Sequence, residues 1–141
     1  MYDVTIIGAG VVGSATAREL AKYDLSLALI EKESDVATGA SKANTGIVHG
    51  GYVAKAGTIK GELCIKGNSY YQKLEKELNF GYKKTGGLVL AFDDEDEKTL
   101  EKIYENALKV GQQEEEIEII YGEQIKEIEP HVSDLAQAAF Y

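Results

Sequence analysis

Three glycines and one acid carry the clearest chemical signal in the chain. Gly8, Gly10 and Gly13 have the spacing G-x-G-x-x-G in Gly8-Ala9-Gly10-Val11-Val12-Gly13, and Glu31 stands 18 residues beyond the last of them. Such a segment binds the pyrophosphate of a dinucleotide. The first glycine permits a tight turn, the second lets the backbone reach the phosphates, and the third lets a helix pack closely on a strand. The N–H groups around Val11 and Val12, at the positive end of that helix, favour the negative charge. A carboxylate about 20 residues further on accepts hydrogen bonds from ribose hydroxyls. Glutamate rather than arginine at position 31 argues against a 2′-phosphate, and so against NADP.

These residues work only if the right elements hold them. Tyr2 to Ile7 is a β-branched run ending in glycine and is expected as a buried strand. Small and apolar residues at 12, 16, 17, 20 and 21 give a helical stripe, and Leu25 to Ile30 is expected as a second buried strand ending at Glu31. The order strand, glycine turn, helix, strand, acid is that of a Rossmann-like βαβ unit in an α/β fold. The unit alone does not separate a nicotinamide from a flavin dinucleotide. Residues 38–52 follow, rich in Gly, Ser, Thr and Asn yet carrying Ile47-Val48. This composition fits a loop held against a ligand better than a flexible linker.

The sequence resembles the FAD-dependent oxidoreductases of the D-amino-acid oxidase group. Within it the likeness is nearest to the glycerol-3-phosphate dehydrogenases, especially the large subunit of the anaerobic type, and to the L-2-hydroxyglutarate oxidases. The residues that carry it run from Val4 to Gly13, then Ile30-Glu31-Lys32, Thr38-Gly39-Ala40-Ser41 and Asn44 to Gly51, with Lys83 to Ala91 and Glu127-Ile128-Glu129-Pro130 later. The resemblance implies FAD as cofactor, its pyrophosphate over Gly8, Gly10, Val11, Val12 and Gly13, and its adenosine ribose on Glu31 beside Lys32. It further implies Ser41 and Lys42 along the pyrophosphate and ribityl chain, and Asn44, Thr45, Gly46 and His49 beside the isoalloxazine ring. Lys42 replaces an arginine usual in the group, which keeps a point charge and loses a bidentate fork. The implied reaction is hydride transfer to flavin from sn-glycerol 3-phosphate or a similar hydroxy substrate, with electrons passing to a quinone, to oxygen or to a partner subunit. The alternatives are an oxidase of L-2-hydroxyglutarate or an amino acid, and a non-catalytic dinucleotide-binding module.

His49, between an apolar pair and Gly50-Gly51, is the candidate catalytic residue. It reads as a flavin- or substrate-facing imidazole able to act as base or hydrogen-bond partner, against the plainer alternative of a structural histidine in a packed loop. Cys64 lies on an expected helix from Ile59 to Leu78, where a lone cysteine serves as a small buried hydrophobe. No second cysteine or histidine cluster has metal-ligand spacing, so no metal is expected.

Composition sets the outer limits. The 141 residues include 15 basic and 24 acidic ones, for a net charge of −9, and the whole excess lies in residues 71–141. Such a surface repels phosphates, which excludes nucleic acid as a partner. The single cysteine and the absence of a signal peptide or an apolar run near 18 residues fit a cytoplasmic protein, or one peripheral to the inner face of a membrane in its full-length form.

The motifs divide the chain into an incomplete FAD-binding part, residues 1–80, and a partial α+β substrate or cap domain, residues 81–141. In the second part Gly87 to Phe92 is expected as a strand. Asp94 and Glu97 have capping-box spacing at the start of a helix with Leu100, Ile103, Tyr104, Ala107 and Leu108 inward and Gly111 at its end. A short strand at 117–120 and a short helix at 123–129 follow, then a further strand opening at Ala138. Strand-like sequence at the last residues, together with a single arginine, Arg18, leads to the expectation of an N-terminal fragment.

Overall fold

The computed structural model describes residues 1–141, which fold as two compact units, Met1–Ile47 and Val48–Tyr141. In the first, strand β1 (Val4–Ile7) pairs in parallel with β2 (Leu27–Ile30), Val4 opposite Leu27 and Ile7 opposite Ile30. Helix α1 (Val11–Leu20) makes the crossover between them. Parallel strands need such a crossover, and the glycine turn supplies its sharp start. The strands are not buried as their composition led us to expect. Ile7 is 88% exposed and Ile30 53%, and α1 contains no buried residue. The physical reason is that a two-stranded sheet with one helix has too few layers to enclose both of its faces.

The second unit has a proper core. Its sheet is antiparallel in the order β3 (Val89–Ala91), β5 (Ala138–Phe140), β4 (Ile119–Tyr121), so the strand at the end of the chain is the central one, paired on both edges. Ala138, Ala139 and Phe140 are all buried. Helix α3 (Asp94–Val110) packs one face on this sheet through Leu100 and Ala107, joined by Ala91, Ile117 and Phe140. Ile120 and Ile125, the latter on the short helix α4 (Glu123–Ile128), fill the opposite side with Ala139. The antiparallel sheet, with α3 on one face and α4 on the other, makes this unit α+β, as the residue pattern led us to expect.

Two local expectations need correction. The cap of α3 is Asp93, one residue before the anticipated Asp94; its Oδ1 accepts from the N–H groups of Glu95 and Asp96 at 2.9 Å each. Asp93 wins because only a residue still in extended conformation, here φ −153°, can turn its carboxylate back onto the first turn. The long helix α2 (Ile59–Leu78) forms, but Leu63 and Leu78 of its apolar stripe stand exposed and Gly61 is its one buried residue.

The packing border at 47/48 also lies upstream of the 80/81 border read from the motifs. Residues 48–78 belong with α3 because side chains tie them there. Asn106 holds the loop before α2, and a Cβ at Gly61 would come within 2.8 Å of Lys55 O and 3.4 Å of Val110 Cγ1. Two outcomes are expected. Leu100→Ala should lower the unfolding free energy of this unit by about 3 kcal/mol in urea titration, from lost burial plus an unfilled cavity. Asp93→Ala should cost about 1 kcal/mol in the same assay, by removing the cap.

Candidate functional site

The site builds from the contact between Gly13 and Gly8. A Cβ on Gly13 would lie 1.9 Å from Gly8 O, so only glycine lets α1 sit on the turn that leaves β1. Gly8 itself has φ +97°, a left-handed conformation that glycine adopts without a steric penalty. Its N–H donates to Ile30 O at 2.7 Å, which extends the β1–β2 ladder into the turn. Gly10 is the residue before the helix and has no side chain to cap it, and the first turn of α1 carries no acid.

Two side chains from elsewhere complete the turn. Ser41 Oγ accepts from Val11 N–H at 2.8 Å, a bond spanning 30 residues. Glu31 Oε2 accepts from Ala9 N–H at 2.8 Å, while its Oε1 takes Lys32 N–H at 2.8 Å and Glu33 N–H at 3.1 Å. The Ala9 N–H first, then those of Glu33 and Lys32, hold this carboxyl below the ordinary glutamate value of 4.5. A carboxylate has about four acceptor positions, so Glu31 retains one for a hydroxyl group.

These residues surround a cleft of about 710 Å³ within the first unit, inside the roughly 300–1,000 Å³ usual for small-molecule sites. Gly8, Gly10, Glu31, Lys32 and Ser41 line it, with Ile7 and Ile30 from the strand ends. Its remaining wall is Glu33 and residues 37–40, none of them among the site residues expected from the sequence. Ala37 is placed there by donating its N–H to Ala9 O at 3.1 Å and by a left-handed φ of +59°. Nothing in its residue type announces that role; the small residues Ala37, Gly39 and Ala40 were the available signal.

Other candidates lie outside the lining. Val11 and Val12 are exposed on α1, and the Lys42 side chain is exposed. Asn44 folds its own loop, with Nδ2 donating to Ser41 O at 2.7 Å and Ala40 O at 3.2 Å and Oδ1 accepting from Gly46 N–H at 2.8 Å. Thr45 is exposed beside it, and Gly46 has φ +68°.

His49 belongs to the second unit. Its Nδ1 accepts from Gly51 N–H at 2.8 Å, so in the neutral ring the proton sits on Nε2. The exposed imidazole therefore presents a donor outward, and its one basic nitrogen is occupied. Cys64 is a half-buried free thiol, with its Cβ among the atoms nearest to where a Gly51 side chain would lie.

The chemistry of this donor set fits a dinucleotide. A glycine-surfaced turn, a helix start without its own acid and a carboxylate with a spare lone pair offer, in order, room, positive potential and a hydroxyl acceptor. Gly13→Ala is expected to abolish nucleotide binding by the complete gene product, measured by flavin content after purification. Glu31 supplies a pH test. Its contribution is complete above pH 4.5, its ordinary value, and is lost as the pH falls through the lower value of the folded state. Exchange protection of the Ala9 amide should decline there in the wild type and stay flat with pH in Glu31→Gln.

Comparison with known proteins agrees. The family model of the FAD dependent oxidoreductases matches residues 3–141. A glycerol 3-phosphate dehydrogenase of Caloramator mitchellensis is 50% identical over all of this chain, which spans 29% of that protein's length. A mitochondrial L-2-hydroxyglutarate dehydrogenase of Caenorhabditis briggsae is 39% identical over 95% of the chain and 31% of its own length. Among solved structures, the FAD-bound, dithionite-reduced L-α-glycerophosphate oxidase of Mycoplasma pneumoniae superposes with TM-score 0.82 and 30% identity, over 99% of this chain and 36% of that one. With its βαβ unit, glycine turn and the acid after the second strand in one match, the chain belongs to the FAD-dependent oxidoreductase family.

Proposed function

We propose that this chain forms the adenosine and pyrophosphate side of the FAD site in a flavin dehydrogenase that oxidises sn-glycerol 3-phosphate or a similar hydroxy substrate. The observation that carries the proposal is the cleft between the glycine turn and Glu31, in a chain half identical to a glycerol 3-phosphate dehydrogenase along its whole length. FAD, when bound, supplies a two-electron acceptor for a hydride from a carbon that bears a hydroxyl group.

The chain's own residues do the rest. Gly8, Gly10 and the N–H groups of the first turn of α1 bind the pyrophosphate, and Ser41 orients that turn while facing the same cleft. Glu31 directs its spare lone pair at a ribose hydroxyl, and Lys32 stands at the rim. Lys42, Asn44, Thr45 and Gly46 carry the chain from the pyrophosphate toward the ring, and His49 donates Nε2–H to an oxygen of flavin or substrate. In this division residues 1–80 serve the cofactor and 81–141 the substrate side. The electron acceptor is a quinone, oxygen or a partner subunit. No helix is long and apolar enough to cross a membrane, and a cytoplasmic or membrane-peripheral position is part of the same proposal.

A second reading, L-2-hydroxyglutarate as substrate, has support in the 39% identity to that dehydrogenase. Both are separated by one experiment on the complete gene product. It should purify with a flavin absorbance band, and anaerobic addition of glycerol 3-phosphate should bleach that band faster than L-2-hydroxyglutarate does. Glu31→Lys should weaken FAD binding by roughly tenfold or more, because it replaces an acceptor with a like-charged neighbour of Lys32. Preparation without flavin, or unaltered affinity in the variant, would refute the cofactor site; faster bleaching by hydroxyglutarate would reverse the substrate choice.

A further inference from the structure

The turn that carries His49 has a feature that its role as donor does not by itself require. The peptide unit between Gly50 and Gly51 is held at both ends. Its carbonyl, Gly50 O, accepts a hydrogen bond from Gln112 Nε2, and its N–H, on Gly51, donates to His49 Nδ1. A peptide is planar, so a bond that fixes the direction of the carbonyl also fixes the direction of the N–H. Two flanking glycines would otherwise leave that plane free to rotate. A relay thus runs from Gln112 through one amide to the imidazole. Each of its bonds polarises the next.

The surroundings tie down the same turn. Gly51 has φ +89° and a Cβ there would lie 2.7 Å from Ile65 Cδ1, while one on Gly50 would lie 2.9 Å from the Tyr52 ring. Asn68 Nδ2 donates to His49 O at 3.2 Å. Asn106 secures the stretch that follows, donating to Tyr52 O at 2.6 Å and Ala54 O at 2.8 Å and accepting from Ala56 N–H at 3.3 Å. The Tyr52 ring lies 5.6 Å from His49 and 5.1 Å from Phe140 in the core. Gln112, two residues past α3, is therefore the one polar side chain besides His49 itself that bonds this peptide. Asn106, on that helix, anchors its flank.

We infer that Gln112 is a positioning residue for His49: it sets the Gly50–Gly51 peptide so that Gly51 N–H occupies Nδ1 and the ring presents Nε2–H outward. The inference rests on the reading of His49 as donor to flavin or substrate, and it adds where the fixed orientation comes from. In the 141-residue chain, Gln112→Met removes the donor at nearly constant size, and Gln112→Glu replaces it with an acceptor. Amide exchange at Gly51 should rise roughly tenfold or more in either variant while the amides of β5 stay protected. Should one variant fail to fold, the other carries the measurement, with β5 protection as the criterion of folding.

The flavoprotein provides the second arm. His49→Ala should shift the flavin midpoint potential and lower kcat. Gln112→Met should produce a smaller shift in the same direction, and adding it to His49→Ala should change nothing further. Unaltered Gly51 exchange, or effects of the two substitutions that simply add, would overturn the positioning role while leaving His49 at the site. A His49→Ala enzyme with wild-type potential and turnover would instead refute the reading of His49, and the inference with it.

Discussion

The candidate site depends on the approach of a helix to the carbonyl of the residue that follows the first strand. Gly8 O occupies the space where any side chain at position 13 would begin. That single contact sets the axis of α1 against β1, aims the first turn of the helix across the end of the sheet and leaves the cleft beneath it. Ser41 and Glu31 then act on geometry already in place. One closes Val11 N–H and the other Ala9 N–H, from positions 30 and 22 residues along the chain. The turn is thereby shaped from the protein side before any phosphate meets it, which lowers the ordering cost of binding.

The second unit obeys a different constraint. Its core is small residues and a few large ones, Ala91, Ala107 and Ala138 against Leu100 and Phe140, with α3 laid close on the sheet. The acids that begin α3 are solvated and complement its positive end, led by the Asp93 cap. Asn106 on α3 and Gln112 just past its end also reach back to the His49 segment. The loop of residues 48–58 has little regular structure, and its backbone groups find partners in Asn106, Gln112 and the Thr58 hydroxyl instead of a ladder.

The charge distribution fits this division. The fully acidic balance lies in the second half and its carboxylates are mostly exposed, paired at the surface as in Lys84 with Glu116 and Lys126 with Asp134. Exposed pairs of this kind contribute little to stability. The half that contains the cleft is electrically neutral in sequence, so the field there comes from the helix start and from the charges that line the cleft, Lys32 against Glu31 and Glu33, rather than from net charge.

Much was legible in the residues alone. The G-x-G-x-x-G spacing, the β-branched runs on either side and Glu31 specified a βαβ unit and its ligand class, because each depends on local steric or hydrogen-bonding requirements. The periodicity of residues 94–110 specified α3 and its inward face for the same reason, except at Leu108, which stands exposed near the helix end. Only the tertiary structure decided that Glu31 shares its carboxylate between the glycine turn and its own loop, that Ala37 forms part of the cleft wall, and that β5 is the middle strand of its sheet. Each depends on partners 17 or more residues away, which spacing does not encode. It also decided the tautomer of His49. That choice follows from one amide plane held by Gln112, 62 residues from the Gly50 carbonyl it binds, and no local pattern announces such a bond.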